Sequence, residues 1–262
     1  MKNPLLQTLL FLPAALSLAA GAQAMQCAAT SPLTTTALVE LYTSEGCDSC
    51  PPADRWLSTL GAKGYAPDRV VPIALHVDYW DYIGWKDPYA KQAFSARQRK
   101  MASLARAAVV YTPQVLLQGR DFRPWGSGAF EREVAKINAR PAKARISLLL
   151  DTPPGNAFEV EAAAELENAV PPENMALYLG AYENKLLSEV RAGENRGKTL
   201  PHDFVVLQWA GPLEFQGHRL AARQALPLLP KAVPAHSGVV AFVQNRATGE
   251  VLQALMLAAC PG

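Results

Sequence analysis

The stretch Ala37-Leu38-Val39-Glu40-Leu41-Tyr42-Thr43-Ser44-Glu45-Gly46-Cys47-Asp48-Ser49-Cys50-Pro51-Pro52-Ala53-Asp54 decides how this chain is read. It opens on an apolar, partly alternating run of strand length. From Asp54 through Arg55-Trp56-Leu57-Ser58-Thr59-Leu60 the apolar residues recur at helical spacing. A Cys-x-x-Cys pair therefore stands where a strand hands over to a helix. Gly61-Ala62-Lys63-Gly64 suits that helix's exit, because glycine enters the left-handed region without a Cβ penalty. Two cysteines at this spacing can close a disulfide across the first helical turn. The first sulfur then faces unpaired amides and the positive end of the helix dipole, which favours the thiolate, the species that attacks disulfides. Cys47 is the expected nucleophile and Cys50 the thiol that resolves a mixed disulfide. Glu45 and Asp48 beside the sulfur are expected to oppose that activation, and Pro51 and Pro52 remove two amide donors.

Downstream, Val70-Val71-Pro72-Ile73-Ala74-Leu75 is a near-continuous apolar run suited to a buried parallel strand. It is followed by His76-Val77-Asp78-Tyr79-Trp80-Asp81-Tyr82-Ile83-Gly84-Trp85-Lys86-Asp87-Pro88, an aromatic-dense loop that either covers the cysteine pair, lines a groove or anchors itself. Trp80 and Trp85 are its candidate substrate contacts. Residues 89–108 suit a long amphipathic helix, and Gln114 to Arg120 a strand entering a tight turn. A short partner strand near Asp121-Phe122-Arg123 and a helix from Ser127 to Asn138 follow. In an α/β redox fold of this order, a proline just before the third strand is typically cis and lies against the disulfide, leaving a backbone edge for a peptide. Pro113 and Thr112 are assigned that place. The order of elements over residues 37–140 is that of an α/β layer with a mixed sheet. Beyond a linker at Ala139-Arg140-Pro141-Ala142-Lys143 the texture changes to short strand-like runs separated by Pro, Gly and Asn, ending in a hairpin across Asn245 to Gly249. Residues 144–262 thus read as an all-β, sandwich-like domain.

Upstream, Lys2, the apolar centre from Leu5 to Leu16 and the exit Ala22-Gln23-Ala24 read as a secretory leader over residues 1–24, cleaved after Ala24. An uncleaved anchor is the competing reading, opposed by Pro13 and by an apolar centre shorter than the ~20 residues a span needs. A lipid anchor on Cys27 is opposed by Gln26. Residues 25–36 read as a lead-in without regular structure. No later segment is long and apolar enough to span a bilayer, so the mature chain is expected to be periplasmic or secreted, with no integral membrane segment. The net charge of +2, with both signs interspersed, lacks the basic stripe that nucleic-acid binding needs. Lys91, Arg97, Arg99, Lys100 and Arg106 read as a solvated helix face.

The four cysteines allow three pairings. If Cys47 and Cys50 form one couple, Cys27 and Cys260 near the two ends of the mature chain remain for a structural clasp. Zinc needs about four ligands. The remaining candidates, Cys27, Cys260, His76, His202, His218 and His236, show no paired ligand spacing, so no metal or other cofactor is expected.

The cysteine stretch Tyr42 to Asp54 and the aromatic stretch His76 to Pro88 together resemble a bacterial domain-of-unknown-function family, number 1223, placed among thioredoxin-like proteins. Tyr111-Thr112-Pro113-Gln114-Val115 fits its proline element, and Gly193-Glu194-Asn195-Arg196-Gly197-Lys198-Thr199-Leu200-Pro201-His202-Asp203 a motif of its second half. The resemblance implies a thioredoxin-like α/β domain followed by the β-sandwich-like one, and a redox pair at Cys47 and Cys50, without a substrate. The leading reading is an exported thiol–disulfide oxidoreductase whose partner is a protein or small-molecule thiol or disulfide. The alternatives are a Cu(I)-handling protein, its two thiolates assisted by His76, and a binding module whose cysteines are all structural.

Overall fold

The computed structural model describes residues 25–152 and 157–260. The leader read at residues 1–24 lies outside them. The first half runs β1 (Met25–Thr30), β2 (Ala37–Thr43), α1 (Pro51–Ser58), β3 (Val70–His76), a 3-10 turn (Asp78–Ile83), α2 (Gln92–Leu104), β4 (Gln114–Leu117), β5 (Arg120–Asp121) and α3 (Gly128–Asn138). The second runs β6 (Ala144–Thr152), β7 (Ala157–Leu166), β8 (Met175–Glu183), β9 (Leu186–Glu189), β10 (Thr199–His202), β11 (Val205–Glu214), β12 (Arg219–Pro227), β13 (Ser237–Asn245) and β14 (Val251–Ala258). The segment read as a lead-in carries a strand, β1, paired antiparallel with β6.

The expectation of a thioredoxin-like α/β domain followed by a separate β-sandwich is overturned. The chain is mostly β, 43% strand against 18% helix, and its strands do not sort by half. One eight-stranded sheet has the order β14-β13-β8-β11-β3-β2-β4-β5, so strands from both halves share one ladder. The seam is β11, antiparallel to β8 on one side and parallel to β3 on the other, where Val205 faces Ala74. Pro72 survives in the middle of this sheet for a geometric reason. The Ala74 amide donates to the Phe204 carbonyl, and backbone groups two residues apart point to the same side of a strand. The missing Pro72 donor therefore faces the side where β11 has not yet begun.

Alternation along β2 divides the core. Ala37, Val39 and Leu41 pack under α1 and α3 with Trp56, Leu57, Phe130 and Val134. Leu38 and Tyr42 face the other side, with Phe94 and Met101 of α2. The four-stranded sheet β1-β6-β7-β12 covers the other end of the face that carries α1 and α3. There Ile146, Leu148, Phe158 and Val160 meet Leu177, Leu179, Val239 and Ala241. On the α2 face, buried Arg97 donates to Glu40 at 2.6 Å and lies over the rings of Tyr178, Trp209 and Phe242. The basic cluster read on this helix is thus partly buried, and Arg97 is an anchor rather than a solvated charge.

Candidate functional site

The loop after β2 folds back on itself, the Cys47 amide donating to the Ser44 carbonyl at 3.2 Å, and delivers Cys50 to the start of α1. Pro51 and Pro52 fill the first helical positions, where amides have no partner within the helix and a fixed φ costs nothing. Cys47 and Cys50 are joined by a disulfide, with Cα atoms 5.5 Å apart. Cys47 is 1% exposed and Cys50 0%, so the bond is enclosed. Ser49 Oγ lies 3.3 Å from Cys47 Sγ. Cys27 and Cys260 form a second disulfide, closing the four-stranded sheet's first strand onto the chain's end.

Beside the pair lies a buried cluster of three carboxyl groups and two imidazoles. Glu45 accepts from Trp85 Nε1 at 2.7 Å through one oxygen and faces His202 Nε2 at 3.1 Å through the other. His76 Nδ1 is 2.7 Å from Asp87 Oδ2, which also accepts from the Glu45 amide at 2.9 Å. The His76 and His202 rings meet edge to face with centroids 4.9 Å apart, and the Tyr89 ring packs against both. Asp54, on α1, is buried with Oδ1 unpartnered; His76 Nε2 and His202 Nδ1 are also without partners.

The electrostatics follow from burial and neighbours. Burial pushes the Asp54 carboxyl up, against the opposing pull of His202, His76 and Thr43, and Asp87 adds to the rise. For His76, burial disfavours the imidazolium but is outweighed by Asp87, with Asp54 and Glu45 assisting, so its pKa is raised. Burial raises Asp87 as well, yet His76 and the amides of Glu45 and Tyr89 hold it below the usual carboxylate range.

A strap from the second half closes the site. Between β9 and β10, fully buried Asn195 donates through Nδ2 to the carbonyls of Glu45, at 2.9 Å, and Cys47, at 2.8 Å. Glu194 accepts from the Asp48 amide at 3.1 Å. Gly193, at φ +72°, lets the strap pass Ile83, where a Cβ would come within 2.9 Å of the isoleucine side chain.

The candidate residues read from the sequence fall in different parts of this arrangement. Trp80 donates to Thr112 Oγ1 at 2.7 Å, and the Thr112–Pro113 peptide is cis. Tyr82, stacked on Trp80 and 82% exposed, and the exposed Val109 and Val110 make the apolar surface of that region. Trp85 points instead into the cluster, held by Glu45. The acidic flank reads differently in three dimensions: Glu45 spends both oxygens on Trp85 and His202, and Asp48 faces solvent. Asp54, Asp87 and Asn195 carry no mark in the sequence as site residues.

The model of a family described as a protein of unknown function, DUF1223, matches residues 38–244. The chain belongs to this family. The matched span holds the cysteine loop, the cluster and the strap together. Among solved structures, the crystal structure of a protein from Agrobacterium tumefaciens is 23% identical, with 88% of this chain and 98% of that one covered and a TM-score of 0.62. HBP35 of Porphyromonas gingivalis is 14% identical, covering 87% of this chain and 76% of its own, at a TM-score of 0.63. Both likenesses are of fold. No curated protein matches the chain.

Proposed function

We propose that this DUF1223 protein is a thiol–disulfide oxidoreductase working outside the cytoplasm, with Cys47 and Cys50 as its redox couple. The observation that carries the reading is a Cys-x-x-Cys disulfide at a helix start, set against a buried cluster of acids and imidazoles. Perturbed, desolvated titratable groups packed together are costly to fold and concentrate where proton chemistry is done. The leader-like sequence and the Cys27–Cys260 disulfide support an oxidising compartment.

In the exchange, a client thiolate attacks Cys47 Sγ, the Cys47–Cys50 bond breaks, and its electron pair leaves on Cys50. A second client thiolate then attacks the mixed disulfide and leaves joined to the first client sulfur, so that the client loses two electrons and the couple gains them. Each step is reversible, and the difference in reduction potential sets the direction. Because the bond is enclosed, the strap carrying Asn195 lifts for a protein client, whose segment then lies along Trp80, Tyr82 and Thr112.

The test is oxidation of a dithiol peptide by the mature chain and by Cys47→Ala, with Cys50→Ser treated with the disulfide form of the same peptide so that the Cys47 thiolate displaces one peptide thiol and holds the mixed disulfide. Exchange is expected from the wild type alone, and a trapped adduct at Cys47. Equal activity in wild type and Cys47→Ala sinks the reading.

A further inference from the structure

The buried cluster does not pair all of its carboxyl groups. Glu45 has His202 as its partner at 3.1 Å and Asp87 has His76 at 2.7 Å, which leaves one carboxyl of the three, Asp54, without an imidazole partner of its own. Asp54 is 6% exposed and its Oδ1 finds no hydrogen-bond partner. An uncompensated carboxylate in such a place costs several kcal/mol, and a proton on the group removes that cost. Asp54 also follows Cys50 by four positions, and its amide donates to the Cys50 carbonyl at 3.2 Å. Cys50 has helical backbone angles, so the two side chains share one face of the helix, about 5–6 Å apart at Cβ. Cys50 is itself 0% exposed, and a thiolate formed there has no direct access to water for its proton.

We propose that Asp54 gives a proton to, and takes one from, Cys50. This deepens the exchange reading and rests on it. When a client thiolate breaks the Cys47–Cys50 bond, the electron pair moves to Cys50 Sγ and the Asp54 carboxyl proton follows it. The negative charge that the client brought thus ends on Asp54. The groups that face it there are the imidazoles of His202 from β10 and His76 from β3, the Thr43 hydroxyl from β2, and the more distant carboxylate of Asp87. In the reverse direction the Cys50 thiol returns its proton to the Asp54 carboxylate, and the thiolate attacks the Cys47–client bond.

The experiment takes the fully reduced mature chain, loads Cys47 with oxidised glutathione, and follows release of glutathione by Cys50 as a function of pH, in wild type and Asp54→Asn. A positioned proton acceptor contributes about 10²-fold or more. The variant is expected to be slower by at least about tenfold near pH 6–7, with the gap closing as pH approaches the ordinary thiol pKa of about 8.5, where Cys50 ionises unaided. Superposed pH profiles overturn the role of Asp54 while leaving the exchange reading intact, since a merely structural aspartate shifts stability and not the profile. Failure of glutathione to load onto Cys47 at all overturns both. Should Asp54→Asn melt before assay, the wild type suffices, through infrared difference spectra of oxidised minus reduced protein carrying isotope-labelled aspartate. A protonated aspartate carboxyl band present in the oxidised state and lost on reduction is expected, and an unchanged band refutes the proposal.

Discussion

The molecule holds two disulfides that differ in every respect that bears on chemistry. Cys27 and Cys260 lie 233 positions apart and are both half-exposed. Cys47 and Cys50 lie 3 apart and are enclosed, yet they sit beside five buried ionisable side chains. Solvent access alone would nominate Cys27–Cys260, whereas the exchange proposed above is assigned to the enclosed bond. What separates the two is the company each keeps, since a bond proposed to open and close must have somewhere to put a proton.

The largest test of that contrast concerns stability. In the chain-entropy account, cross-linking across almost the whole chain restricts the unfolded state by about 5 kcal/mol, against about 2 kcal/mol for the small ring at Cys47 and Cys50. Cys27→Ser combined with Cys260→Ser is expected to lose several kcal/mol in denaturant unfolding and to retain exchange at temperatures where it stays folded. Loss of exchange in the folded double variant would break the contrast.

A smaller effect is expected from opening the strap. Asn195→Ala removes both side-chain donors that tie the strap to the cysteine loop, each worth about 1 kcal/mol. Reduction of Cys47–Cys50 by a water-soluble phosphine should accelerate by up to about thirtyfold, with Cys27–Cys260 reduced at its wild-type rate. Equal acceleration of both bonds would point to general loosening instead.

The smallest is a pH effect on folding. The Asp54 carboxyl is raised in the folded chain, so ionising it on the way up in pH weakens the fold. Asp54→Asn should therefore be more stable than wild type at neutral pH, and that gain should vanish below about pH 4, where aspartate is protonated in the unfolded chain as well. The two ions beside it act in the opposite sense to Asp54's ionisation. Asp87, lowered in the fold, contributes stability that is lost as pH falls through its folded pKa. His76, raised, contributes stability that is lost as pH climbs past its own. Denaturant unfolding across this range separates the three.

Local features of this arrangement were legible, and long-range ones were not. The passage from β2 through the cysteines into α1 is written in neighbouring residues: an apolar run, a Cys-x-x-Cys and a helical period. The shared sheet is not, because Val205-Val206-Leu207 is apolar throughout, as any inner strand can be, and nothing in it names β3 as its neighbour. The same limit governs the site. Cys47, Cys50 and His76 stand out by type and place, whereas Asp54 reads only as part of the helical run. Glu45 stands two positions from Cys47 in the sequence, but nothing there shows that Trp85 and His202 take up its two oxygens. His202 and Asn195 reach the cysteine loop only through tertiary folding, which no local pattern encodes.

The strap also sets an order of events. Asn195 reaches back 150 positions to Glu45, and His202 reaches back 157. Synthesis proceeds from the N-terminus at about 5–20 residues per second. Cys47 and Cys50 therefore emerge many seconds before the groups that will enclose them. During that interval the nascent thiols are open to any oxidant in reach, and Cys27 is the other thiol already made. Whichever pairing has formed by then, the arrival of the strap encloses it.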